Sequence, residues 1–112
     1  SLTGEERTRA SGLIRSLRAG RDAVRSGQRD ARVVLASARR VLHEFARPDG
    51  VDYLALVDAA TLAPIGRVEG RSLLIAAIYV GRTRLIDNLP IAPSRRLGAG
   101  PRRVSGRKRK GR

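Results

Sequence analysis

The chain has 112 residues, no cysteine, methionine or tryptophan, two tyrosines, one phenylalanine, a single histidine (His43) and a formal net charge of +14. That is the length of one domain, and it excludes disulfides, thiolate metal sites and the clustered histidines that zinc or iron would need. The longest apolar run, Leu73 to Val80, falls well short of the ~20 residues that cross a bilayer, and no basic-plus-apolar leader opens the sequence, so the expected compartment is the cytoplasm.

Thr3-Gly-Glu-Glu6 has the spacing of a capping box and predicts a helix start. Ala10, Leu13, Ile14, Leu17 and Val24 then recur close to one stripe at helical spacing, with arginines on the flanks. Gly12 and Gly20 each cost this helix about 1 kcal/mol against alanine, so it depends on docking. Ser26-Gly27 ends it. Asp30 is placed to cap a second helix carrying Val34, Ala38, Val41, Leu42 and Phe45, which stops at Arg47-Pro48-Asp49-Gly50. The short connection makes the two an antiparallel hairpin.

Beyond Gly50 the period changes from helical to alternating. Val51, Tyr53, Ala55 and Val57 predict one strongly apolar strand face, and Leu54 and Leu56 make the other partly so. Residues 58–64 read as a loop, Ile65 to Val68 as a short second strand, 69–72 as a turn, and Leu73 to Val80 as a third strand. The last is continuously apolar, which makes it central and covered on at least one face. The expected fold is therefore α+β and two-layered: an N-terminal helical hairpin packed on a three-stranded antiparallel sheet over residues 1–92. Residues 93–112 hold nine of the 24 lysines and arginines, no acid and almost nothing apolar, and are expected to form a disordered basic tail. The domain proper carries 15 bases against 10 acids and is only mildly basic.

No stretch carries a reaction by itself. Gly98-Ala-Gly100 leads into proline and arginine, so it is no phosphate loop. His43 sits among Val41, Leu42 and Phe45 and reads as a structural or surface residue. Asp52 and Asp58 read as solvated turn formers flanking the first strand. The tail supports weak, salt-labile contact with nucleic acid, because each base on a phosphate releases counterions. It has no interleaved aromatic residue to stack on bases. A small basic nucleic-acid-binding protein is thus the alternative reading, and a stand-alone protein-interaction domain is a third.

Three blocks carry a resemblance: Leu2-Thr-Gly-Glu-Glu-Arg7; Val51-Asp-Tyr53 running to Asp58 and then Thr61-Leu62; and Gly81-Arg-Thr-Arg-Leu-Ile-Asp-Asn88. In order and wording they resemble the C-terminal domain of the pantothenate synthetase, or pantoate-beta-alanine ligase, family over residues 2 to about 90. The first block is similar to that family's Leu-Ser/Thr-Pro-Glu-Glu-Arg helix start, with Gly4 where the family usually has proline. The resemblance implies a part of an enzyme that adenylates pantoate with ATP and then joins it to beta-alanine. ATP and Mg2+ are expected for the complete enzyme and no cofactor for this chain alone. The family's nucleotide fold, paired-histidine motif and Ser-Ser-Arg-Asn segment belong to its N-terminal domain and do not occur in this sequence. Together with a start at Ser1 and no methionine, this makes the chain read as a piece of a longer product. The implied partner is that N-terminal domain, and the implied role a lid over its nucleotide site. No residue is expected to be catalytic. Arg82, Thr83, Arg84, Asp87 and Asn88 are the binding or domain-interface candidates, polar because they face the partner domain or anchor the exit of the preceding strand.

Overall fold

The computed structural model describes residues 2–93. The predicted tail, with its expected disorder, lies outside the described residues except for Pro93.

Helix α1 spans Gly4–Arg25. Its capping box is complete: the Thr3 amide donates to Glu6 Oε1 at 2.9 Å and the Glu6 amide donates to Thr3 Oγ1 at 3.1 Å. The helix therefore starts as expected with glycine, not proline, at its first position. Glu5 and Glu6 stand in the first turn, where negative charge complements the helix dipole. Asp30 caps helix α2, Ala31–Val41, by accepting from the Arg32 amide at 2.9 Å.

From Leu42 to Ala46 the chain continues as one wide π-helical turn, in which the Arg47 amide reaches back five residues to the Leu42 carbonyl. Arg47 then takes the left-handed conformation (φ 44°), and Pro48 ends the element. Phe45 lies under the Arg15 guanidinium, 3.6 Å from its carbon to the ring centroid.

Small residues set how closely the layers meet. A Cβ at Gly12 would lie 2.4 Å from the Ala46 nitrogen, so α1 touches the backbone of the wide turn there. A Cβ at Gly20 would meet a Leu74 methyl at 2.5 Å. Ser16, fully buried between them, donates to the Ala38 carbonyl at 2.8 Å and joins the two helices. The two glycines thus return in close packing what they cost in helix propensity.

The sheet is antiparallel, in the order β1 (Gly50–Asp58), β2 (Ser72–Val80), β3 (Thr83–Ile91). Two helices on three antiparallel strands is the expected architecture, and β2 is central as expected, but the third strand is a different one. Ile65 to Val68 is not in the sheet. Its backbone bonds turn instead toward the α1–α2 connection: the Val68 amide donates to the Arg29 carbonyl and the Ala31 amide to the Gly66 carbonyl. Val68 is buried in the core from this position. At the head of this segment a single bridge joins Val57 and Pro64, and the Ile65 amide donates to the Leu56 carbonyl.

The vacant strand position is filled by the polar block after Gly81. Gly81 has φ 61° and Arg82 does not share that sign, the geometry of a type II′ two-residue turn between Val80 and Thr83. The Gly81 amide also donates to Asp49 Oδ2 at 2.6 Å.

A second difference lies inside β1. The register jumps between Val51 and Tyr53, leaving Asp52 as the extra residue of a bulge. Val51 therefore shares the helix-facing side with Leu54 and Leu56, while Tyr53, Ala55 and Val57 turn the other way. The core joins Leu13, Leu17, Val24, Val34 and Leu42 of the helical layer to Leu56, Leu74, Ile78, Leu85 and Ile91 of the sheet. Among the described residues no helix is long and apolar enough to cross a membrane.

Candidate functional site

Strand parity decides where the five candidate residues point. Cross-strand partners place Gly50, Tyr79 and Arg84 in one row of the face away from the helices, Tyr53, Ala77 and Ile86 in the next, and Ala55, Ile75 and Asn88 in the third. Tyr53 is 37%, Tyr79 39% and Ile86 53% exposed. The outer face is thus a largely apolar surface that no element among the described residues covers, and single-sided antiparallel sheets more commonly turn polar residues to water.

Arg84 and Asn88 lie on this face. Arg84 spans the central strand to the bulge: its Nε and Nη2 donate to Asp52 Oδ2 at 3.1 and 2.7 Å. The guanidinium carbon stands 5.9 Å from the Tyr53 ring centroid. The hydrogen bond to Asp52 is the main reason the Arg84 pKa lies above its ordinary value. The bulge aims Asp52 at Arg84, so the aspartate read as a turn former at the strand end is instead half of a cross-sheet ion pair. The pair is partly exposed and adds little stability. Its effect is to hold the guanidinium near the Tyr53 ring on the outer face.

Thr83 and Asp87 face the helices, in register with Val80 and Ala76. Thr83 Oγ1 donates to Glu6 Oε2 at 2.5 Å, tying β3 to the first turn of α1. This bond first, and the Thr3 amide second, hold the Glu6 carboxyl below its usual range. Glu6 thereby serves the cap with one oxygen and the sheet with the other. Asp87 is half-buried and its Oδ1 accepts from the Asn88 amide at 2.8 Å. Arg82 is exposed at the tip of the turn. The structure therefore places Arg84 and Asn88 on one face, two rows apart with Ile86 between them, and does not gather all five.

Sequence reasoning missed Asp52, Tyr53, Tyr79 and Ile86 as members of this surface. The two tyrosines were the available signal, since a core without other aromatic strand residues has no need of hydroxyl-bearing rings on its buried side. The remaining acids and the histidine form no centre. Asp58 Oδ1 accepts from the Ala60 and Thr61 amides at 2.8 and 2.9 Å, and these bonds, Thr61 first, lower its pKa. It is the turn former expected. His43 is exposed on the helical layer. Among the described residues no three histidine, aspartate or glutamate side chains are grouped to hold a metal ion.

Comparison with known proteins adds the family. The family profile described as pantoate-beta-alanine ligase matches residues 1–90. A pantothenate synthetase of Thermobifida fusca is 48% identical over 94 residues, covering 80% of this chain and 31% of that protein. A bifunctional pantoate ligase/cytidylate kinase of a Synechococcus strain is also 48% identical, over 92 residues that make up 82% of this chain and 17% of that protein. The crystal structure of pantothenate synthetase from Thermus thermophilus superposes with a TM-score of 0.74 at 32% identity, covering 82% of this chain and 33% of that one. The chain thus spans about a third or less of the length of the relatives it matches. With a helical hairpin, a three-stranded sheet and nearly the whole described sequence inside the match, the chain belongs to the pantoate-beta-alanine ligase family.

Proposed function

We propose that this chain is the C-terminal lid of an ATP-dependent ligase that condenses pantoate with beta-alanine through a pantoyl-adenylate, releasing AMP and diphosphate, and that the chain alone runs no chemistry. The observation that carries this reading is the family match over residues 1–90 by a chain about one third as long as its synthetase relatives. On this reading nucleotide and Mg2+ belong to the nucleotide-binding partner domain, and no chemical step is placed on this chain.

What the chain's own residues contribute is a cover. The stiff helical layer backs a sheet whose outer face presents Tyr53, Tyr79, Ile86 and the Arg84–Asp52 pair. Laid over an activated acyl group, a surface of that kind keeps water from the intermediate while a fixed guanidinium remains available to polar groups opposite. Arg84 and Asn88 are the interface residues on this reading, with Arg82 at the margin. Thr83 anchors the strand they stand on.

The test is reconstitution. The full chain, given ATP, pantoate and beta-alanine, is expected to form no pantothenate. Joined to the N-terminal two thirds of the Thermobifida fusca synthetase in place of that enzyme's own C-terminal part, it is expected to restore turnover. Pantothenate formation by the chain alone, or a folded chimera without activity, overturns the proposal.

A further inference from the structure

At the end of the sheet remote from the Gly81 turn, a depression of about 420 Å³ opens between α1 and the start of β2. Arg21 and Arg25 line it from one side, Arg71 and Ser72 from another, and Ile91 forms part of its wall. Arg21 and Arg25 are one helical turn apart, a spacing at which like charges repel. Arg71 adds a third positive charge, and no carboxylate lines the depression.

None of the three arginines forms an ion pair or a side-chain hydrogen bond among the described residues, a state they share with exposed arginines such as Arg18 and Arg39 while Arg9, Arg32, Arg67 and Arg84 have carboxylate partners; what sets them apart is that they converge on one depression. Arg21 goes further, since its Nε is removed from solvent and meets no acceptor. A buried donor left without an acceptor is costly, and such groups in native proteins ordinarily find one. The frame around the depression is fixed: the Ala59 amide donates to the Arg71 carbonyl at 3.0 Å and Ser72 Oγ donates to the Gly70 carbonyl at 3.0 Å. Pro90, Ile91 and Ala92 make the remaining side apolar.

We propose that this depression binds a multiply charged phosphoryl oxyanion, with Arg21, Arg25 and Arg71 as its ligands. Guanidinium forks match the oxygens of phosphate in pairs, and charge-assisted bonds of this kind strengthen where one side of the site is apolar. The bound anion would cancel the repulsion within the Arg21–Arg25 pair and give Arg21 Nε its acceptor. The site lies apart from the outer-face surface assigned above and stands without the ligase reading.

The experiment is a titration of the isotopically labelled full chain with inorganic diphosphate, inorganic phosphate and citrate, followed residue by residue by NMR. Saturable shifts of the Arg21 Nε–H signal and of the Ala59 and Ser72 amides are expected with diphosphate, weaker ones with phosphate and the weakest with citrate. Arg71→Ala, at an exposed position, is expected to keep the fold and weaken diphosphate binding about tenfold or more, in line with the loss of a hydrogen bond to a charged group. Arg21→Gln should weaken it further. Signals from the basic C-terminal segment serve as an internal control, since their response should be the same in both variants. No shift at Ala59 and Ser72, binding unchanged in Arg71→Ala, or tighter binding of citrate than of diphosphate overturns the proposal.

Discussion

On the side toward the helices the sheet presents Leu54, Leu56, Leu74, Ala76, Ile78 and Leu85; on the other it presents Tyr53, Ala55, Ile75, Ala77, Tyr79 and Ile86. The two sets are similar in bulk and differ in fate. Leu74, Ala76 and Ile78 are fully buried beneath the helical layer; on the outer face the small Ala77 is hidden among its neighbours, but Tyr53, Tyr79 and Ile86 remain 37%, 39% and 53% exposed. Apolar surface stabilises a fold only in proportion to the water it leaves. Stability within this chain is therefore concentrated on one face, and the other is free to bury its apolar surface against a partner.

The sharpest way to break that contrast is to cut into the covered face. Leu74→Ala should lower stability by about 2–5 kcal/mol, because it opens a cavity beneath Gly20; chemical denaturation monitored by circular dichroism measures it. Gly12→Ala comes next, at about 1–3 kcal/mol, since the new methyl meets backbone atoms of the wide turn that have no rotamer to move into. Acid should act more gently. Glu6, Asp30 and Asp58 all have lowered pKa values in the fold, from the Thr83 hydroxyl, the Arg32 side chain and the Thr61 amide in turn. Their contribution is fully present above the unfolded carboxylate values near about 4 and is lost as pH falls through the lower folded values. Thermal melts from pH 6 to pH 2 should therefore show a falling midpoint, with Thr83→Val flattening the Glu6 part of the curve. The smallest effect is expected on the outer face, where Ile86→Thr should change the stability of this chain by no more than about 0.5 kcal/mol yet lower activity in the chimera with the synthetase N-terminal part. A loss of stability comparable to that of Leu74→Ala would mean that the outer face is not open.

Both helices were legible from the sequence because their signals are local: a capping box, an aspartate cap, apolar residues three and four apart, and a proline stop. The central strand was legible because eight apolar residues in a row leave few other places to go. The rest depended on partners far away in the chain. Ile65 to Val68 looks like a strand over four residues, but its backbone finds the α1–α2 connection first. Thr83 to Ile91 does not look like one, because Asp87 interrupts its inward row of Leu85 and Leu89, and only pairing with β2 reveals the alternation. The bulge at Asp52 reversed the reading of β1, and a single extra residue leaves no mark in composition. At the candidate site the same lesson holds residue by residue. The block Gly81 to Asn88 is conspicuous in the sequence as polar residues after an apolar run, but Thr83 is committed to Glu6, 77 positions earlier, and only the strand register separates it from its neighbour Arg84.

The backbone bond from Ile65 to Leu56 and the bridge at Pro64 also bear on how such sheets could assemble. They occupy the outer rim of β1 at one end, and the bulge breaks its straight run at the other, so β1 offers no long ladder to a newcomer. Among the described residues only β3 keeps an extended rim. An accretion of strands needs two usable rims per copy; with one, two copies meeting rim to rim exhaust each other, and growth ends at a closed pair instead of a filament.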